Sequence, residues 1–301
     1  MRNAFIEEIV VAARKNPNVA LIVGDLGFSV IEPFADEFPD RFINAGVAEQ
    51  NMMGVAAGMA SEGYHVFVYS IGVFPTFRCA EQIRNDVAYH NFPVTIVTVG
   101  GGLAYGALGY SHHVVQDYAL IRSLPNMLIA APGDPMETRA CVRYLLKNPQ
   151  PSYLRLAKAG EPSFHTDVPE VEPGVWLPVV TAGNQEISGR TLLTTGGALA
   201  IAMGWKESSQ FADYAVASMP LWGQAAKANQ VSQVAAMQRL VTVEDHLLDG
   251  GFGAWLLEAV ANEGGLSERI RIRGLDPVVC GTVGSQAALN AIGLAKISDS
   301  K

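Results

Sequence analysis

Short apolar runs and longer amphipathic stretches alternate along this chain, and the alternation sets its architecture. Continuous apolar runs bounded by Gly, Pro or Asp occur at Val19–Val23, His65–Tyr69, Val94–Val99, Met127–Ala130 and Ser152–Leu156. Unbroken runs of this kind read as strands buried on both faces. Between them, helical spacing is predicted over Ala48–Ser61, roughly Phe77–Tyr89, Val115–Ser123 and Pro135–Leu146. Phe5, Ile6, Ile9 and Val10 add an N-terminal amphipathic helix. After about residue 160 the periodicity stops, and Pro162, Pro169, Pro173 and Pro178 punctuate a polar stretch with room for one short hairpin. Strands are again predicted at Arg190–Thr195, Tyr214–Ser218, Leu240–Val243 and Ile270–Ile272. Helices are predicted at Ala198–Ser208, Gln224–Gln238, Phe252–Ala261 and Ser285–Ala295. The pattern predicts an α/β protein of two doubly wound domains with mainly parallel sheets, 1–160 and 188–301, joined by a linker over 161–187.

Composition narrows the class. The 301 residues are 49% hydrophobic and 17% charged, ample for buried cores. A net charge of −8 leaves no basic footprint for nucleic acid. Cys79, Cys141 and Cys280 are too few and too scattered for a disulfide framework or a zinc site, which suits a reducing compartment. Glu7 and Glu8 interrupt any signal-like N-terminus, and no run is long enough to span a bilayer. A cytoplasmic protein with no membrane or nucleic-acid partner is expected.

One stretch carries candidate chemistry. In Asn44-Ala45-Gly46-Val47-Ala48-Glu49-Gln50-Asn51-Met52-Met53-Gly54, a lone carboxylate opens a helix whose body is small or apolar. Desolvation favours the protonated acid, while the helix N-terminus favours the anion. The residues alone fit a solvated first-turn acid somewhat better than a catalytic one.

The string Gly46-Val47-Ala48-Glu49-Gln50-Asn51, with Gly54 and Ala56-Ala57-Gly58, resembles the glutamate signature of transketolase-type thiamine diphosphate enzymes. The surrounding order matches too: Gly24-Asp25-Leu26, Phe74 and Phe77 before Glu81-Gln82-Ile83-Arg84, then Gly109-Tyr110-Ser111-His112-His113, Leu124-Pro125-Asn126 and Pro151-Ser152-Tyr153-Leu154-Arg155-Leu156. The family's diphosphate and magnesium motif, Gly-Asp-Gly followed by Asn, is missing, and Gly133-Asp134-Pro135 does not replace it. The chain therefore resembles the pyrimidine-binding plus C-terminal subunit of a split transketolase. That resemblance implies thiamine diphosphate as cofactor, Mg2+ held by a separate N-terminal subunit and no metal ligand on this chain. It also implies a heterotetramer and transfer of a two-carbon ketol unit between sugars.

The resemblance assigns Glu49 to the cofactor's pyrimidine as catalytic acid/base, with Phe74, Phe77 and Arg78 around the same ring. It assigns His112 to proton transfer at the substrate, with His113 beside it. Ser29, Arg155 and Lys158 fall where relatives bind substrate oxygens or phosphate. Gly100 and Leu108 replace a histidine and an aspartate that contact sugar hydroxyls in the family, which points toward a modified sugar. A deoxyxylulose-phosphate synthase, a 2-oxoacid dehydrogenase β subunit, and a non-catalytic scaffold are the competing readings.

Overall fold

The computed structural model describes residues 1–180 and 189–294. The first sheet is built from strands β1 (Val19–Val23), β2 (Phe42–Asn44), β3 (His65–Ile71), β4 (Val94–Val99), β5 (Leu128–Ala130) and β6 (Ser152–Leu156). The second contains β7 (Leu177–Val180), β8 (Gly189–Thr194), β9 (Ala215–Ser218), β11 (Met237–Leu247) and β12 (Ile270–Leu275). Strand β10 (Leu221–Gly223) crosses over to pair antiparallel with β5, giving a seven-stranded order β10-β5-β6-β4-β3-β1-β2. All other pairs in that sheet are parallel. The five-stranded sheet runs β12-β11-β8-β9-β7, parallel except for β7 against β9.

Every residue of β1 and β4 is buried, as expected for parallel strands covered on both faces. One face is covered by helices Arg2–Lys15 and Pro135–Lys147, which share an apolar cluster with Phe34, Phe67 and Leu154. Arg143 forks onto Glu8 at 2.8 and 2.9 Å to join these two helices. Helix Glu49–Ser61 covers the other face through Met52, Met53, Ala56, Ala57 and Ala60. Pro135–Lys147 begins in the expected way: Asp134 accepts from the Glu137 amide at 2.7 Å, with proline at the first helical position.

Four expectations need correction. The helix foreseen over Phe77–Tyr89 starts earlier, at Val73, breaks after Arg78, and continues beyond Gln82 as a π-helical turn over Ile83–Ala88. The one foreseen over Val115–Ser123 shrinks to Asp117–Ile121, because Val114 is held by a bridge to Gly102. The segment Gln224–Gln238 divides into a 3-10 turn, a short helix Gln230–Ala235 and the start of β11. The stretch read as a linker supplies β7, an edge strand on the second sheet rather than a hairpin. It also contributes Phe164 and His165, whose amides Asp134 accepts at 2.8 and 2.9 Å. Residues 181–187 of that linker and Ala295 of the last helix lie outside the described residues. Among those described, no helix is long and apolar enough to cross a membrane.

Trp222 on β10 locks the two sheets together. It is fully buried, donates to Thr195 Oγ1 at 3.0 Å, and meets the rings of Tyr118, Phe252 and Trp255 at 5.1–5.4 Å. Trp222→Ala is expected to cost about 3–5 kcal/mol in a urea titration. Two carboxyls buried nearby add a pH dependence. Burial lifts Glu137 to about 7 and Glu244 to about 8, from an ordinary 4.5. The folded chain then holds protons that the unfolded chain has released, so this stability is complete below about 4.5 and lost as pH climbs through 7–8. Urea midpoints are expected to fall across that window, and Glu137→Gln to reduce the fall.

Candidate active site

In an open parallel sheet, ligands bind beyond the carboxyl ends of the strands. The residues that follow those ends here are the ones singled out from the sequence. Ser29 lies on the loop after β1, Glu49 opens the helix after β2, and Phe74, Phe77 and Arg78 follow β3. Gly100 to His113 follow β4, and Lys158 follows β6.

The loops after β1 and β2 are locked to each other. Asn44 accepts the Asp25 and Gly46 amides at 3.1 and 3.0 Å and donates to the Asp25 carboxylate at 3.0 Å. Asp25 and Gly46 both sit at positive φ, 54° and 70°. This lock turns the chain so that the helix begins at Glu49 with its side chain inward, only 4% exposed. Glu49 Oε2 accepts from Arg78 Nη1 at 2.9 Å. The Arg78 guanidinium lies over the Phe74 ring, 4.5 Å from its centroid, and Phe74 meets His112 edge-on at 5.4 Å. Glu49, Arg78, Phe74 and His112 thus form one connected line. A cavity of about 460 Å³ opens beside it, lined by Val47 through Asn51 and Arg78.

The neighbouring thiol takes no part. Burial, and behind it the Glu49 carboxylate, push Cys79 to about 12, far from a reactive thiolate.

The line is held from below by a buried polar network. Thr76, two residues along from Phe74, donates to the Gly72 carbonyl at 2.6 Å, and its Oγ1 lies 3.2 Å from Tyr153 Oη. Tyr153 Oη donates to Asp117 at 2.8 Å, and Arg155 Nε donates to the same oxygen at 2.8 Å. Arg155 also reaches Asp245 on β11 at 2.7 Å and the Val114 carbonyl at 2.7 Å. Val114 pairs with Gly102 and closes the loop that carries His112.

Other sequence candidates are placed differently. Arg155, assigned to the substrate from the sequence, is 2% exposed and committed to Asp117, Asp245 and Val114 instead of facing the cavity. Phe77 shares the helix with Phe74 but stands 46% exposed. His113 is buried, with Nε2 at 3.4 Å from the Gly106 carbonyl, while His112 Nδ1 faces Ser111 Oγ at 3.0 Å. Ser29 is exposed at positive φ, and Lys158 lies over the Tyr105 ring at 5.6 Å. No contact joins either of them to Glu49. The residues missed from the sequence are the supports: Asn44, Thr76, Tyr153 and Asp117. Their signal was a polar side chain inside or beside an apolar strand or helix.

Gly100 has a steric reason. It sits at φ +85°, and a Cβ there would fall 2.3 Å from two carbons of the Tyr105 ring. The tyrosine occupies the space a larger side chain at position 100 would need. Leu108, on the same loop, is 59% exposed.

A seven-stranded, mainly parallel sheet thus places a buried carboxylate, an aromatic face and a histidine together at its carboxyl edge, where folds of this class hold small ligands. The comparisons with known proteins are specific. The family model for the transketolase pyrimidine binding domain matches residues 1–160. A protein of Methanocaldococcus jannaschii, described as the C-terminal section of a transketolase, is 31% identical over 280 residues, covering 90% of this chain and 85% of that one. One of the subunits of an apulose-4-phosphate transketolase from Phocaeicola vulgatus is 32% identical over 265 residues, covering 86% of this chain and 83% of that one. A solved split-gene transketolase, described as an inactive β4 tetramer, superposes with a TM-score of 0.81 at 29% identity, over 97% of this chain and 93% of that one. The chain belongs to the transketolase family and corresponds to the C-terminal subunit of a split enzyme.

Gly100→Ala is expected to cost about 1–3 kcal/mol, through overpacking against Tyr105 and strain at positive φ. Because the two positions touch, Tyr105→Ala should recover part of that loss in a double-mutant cycle read by urea denaturation.

Proposed function

We propose that this chain works with an N-terminal subunit to transfer a two-carbon ketol unit between sugars, using thiamine diphosphate and Mg2+. In this reading the partner contributes the diphosphate and metal ligands that this sequence lacks, within a cytoplasmic heterotetramer. The observation that carries it is the inward Glu49 carboxylate beside the Phe74 face and the 460 Å³ cavity. A buried acid at a helix N-terminus next to an aromatic plane fits the aminopyrimidine half of the cofactor. Thiamine diphosphate, when bound, supplies the nucleophilic carbon that carries the two-carbon fragment.

The residues of this chain then have separate tasks. Glu49 holds a proton at the ring nitrogen it faces, through the strong hydrogen bond that a carboxylate makes in a dry seat. Phe74 offers the ring a flat apolar surface. His112 exchanges a proton with the substrate oxygen as the carbon–carbon bond breaks or forms. Lys158 and Ser29 border the substrate side, where a lysine attracts a phosphate without the bidentate fork of arginine. With Tyr105 over Gly100 and Leu108 exposed, two polar contacts to ordinary ketose phosphates are replaced, and the expected substrate is a modified sugar.

The test is Glu49→Gln in the assembled complex with its N-terminal subunit. Turnover is expected to fall by about 100-fold or more, with melting unchanged. Unchanged turnover would overturn the reading. Strict dependence on a 2-oxoacid with release of carbon dioxide would move the chain to the synthase or dehydrogenase type.

A further inference from the structure

Arg78 makes, with one side chain, both contacts that the cofactor's aminopyrimidine needs. It donates to Glu49 Oε2 at 2.9 Å and lies on the face of Phe74 at 4.5 Å. We infer that Arg78 is a positioning residue that stands in for the aminopyrimidine, and that the ring must displace it to bind. This rests on the proposed cofactor reading and adds the order of events at the pocket.

The chemistry of the two groups explains the overlap. A guanidinium is planar, cationic and rich in N–H donors, and it stacks on aromatic rings. A protonated aminopyrimidine is also planar and also presents N–H to a carboxylate. One face of Phe74 and one oxygen of Glu49 hold one such group at a time.

The placement of Arg78 suits a group that leaves. Its side chain is 51% exposed, whereas that of Glu49 is 4% exposed. Its backbone carbonyl accepts from Gln50 Nε2 at 3.0 Å, so the main chain stays fixed to the Glu49 helix when the side chain swings out. Thr76 anchors the same turn through Gly72 and Tyr153. A buried carboxylate left without a partner is costly. Arg78 pairs with the Glu49 carboxylate and keeps it aimed until the ring arrives, and then moves into solvent.

The test uses the isolated aminopyrimidine, 4-amino-5-hydroxymethyl-2-methylpyrimidine, titrated by calorimetry and by ligand-observed NMR into the chain assembled with its N-terminal subunit. Arg78→Met, which keeps an apolar cover on Phe74 without the charge, and Arg78→Ala are each expected to bind this probe about fivefold more tightly than the parent. For the parent, affinity should rise as salt goes from about 50 to about 500 mM, because screening loosens the ion pair, and in the variants this rise should vanish. Side-chain 15N signals of Arg78 should shift toward those of a free guanidinium as the probe saturates. Weaker or unchanged binding in both variants, with a parent that binds, would make Arg78 a direct ligand or a bystander and overturn the displacement alone. Glu49→Gln separates the two claims. If it leaves probe binding by the assembled complex intact, or if no form of that complex binds the probe, the cofactor reading fails and the displacement with it.

Discussion

One buried guanidinium ties the second sheet to both arms of the site. Arg155, at the end of β6, bonds Asp117 and Asp245 within 2.8 Å and the Val114 carbonyl at 2.7 Å. Through Asp117 and Tyr153 it reaches Thr76 and the helix bearing Phe74 and Arg78. Through Val114 it reaches the loop bearing His112. Such a buried network is expensive to leave half-made, about 3–5 kcal/mol when one partner goes, because a charge is then stranded away from water. Its geometry therefore fixes how far apart the two arms stand. The second sheet carries none of the site candidates, yet Asp245 on β11 helps to set their positions.

The same physics explains why the site is open on one side. Parallel strands deliver their following loops to a single edge, where backbone groups and helix N-termini face outward. Glu49, Phe74 and His112 gather there with the exposed side chains of Val47, Phe77, Leu108 and Tyr110 around them. An apolar rim on a polar floor suits a pocket that a second polypeptide closes. Under the proposed function, labour divides accordingly, with ring recognition on this chain and phosphate and metal recognition on the other.

Much of this was legible in the sequence because it is local. The strands β1, β3, β4 and β6 are continuous apolar runs, and the helix after β2 announces itself as a lone acid before small residues. What depended on distance was not legible. Strand β10 joins a sheet built mainly by residues before 157, and three residues with a break before them give no periodicity to read. Arg155 was assigned to the substrate side because it falls where relatives carry a basic residue; its partner Asp245 lies 90 positions away. Phe74 and Phe77 were indistinguishable by spacing, and only packing against Arg78 and His112 separates them. Gly100 read as a lost polar contact to sugar hydroxyls, and the structure adds the Tyr105 ring in the space above it.

Under the proposed function, the inward acid of this chain meets the pyrimidine ring of the cofactor. A crystal structure of the chain assembled with its N-terminal subunit and thiamine diphosphate addresses it most directly. A Glu49 carboxylate oxygen is expected at about 2.7 Å from a ring nitrogen, with the ring stacked on Phe74. A ring bound elsewhere, with Glu49 still paired to Arg78, would contradict it.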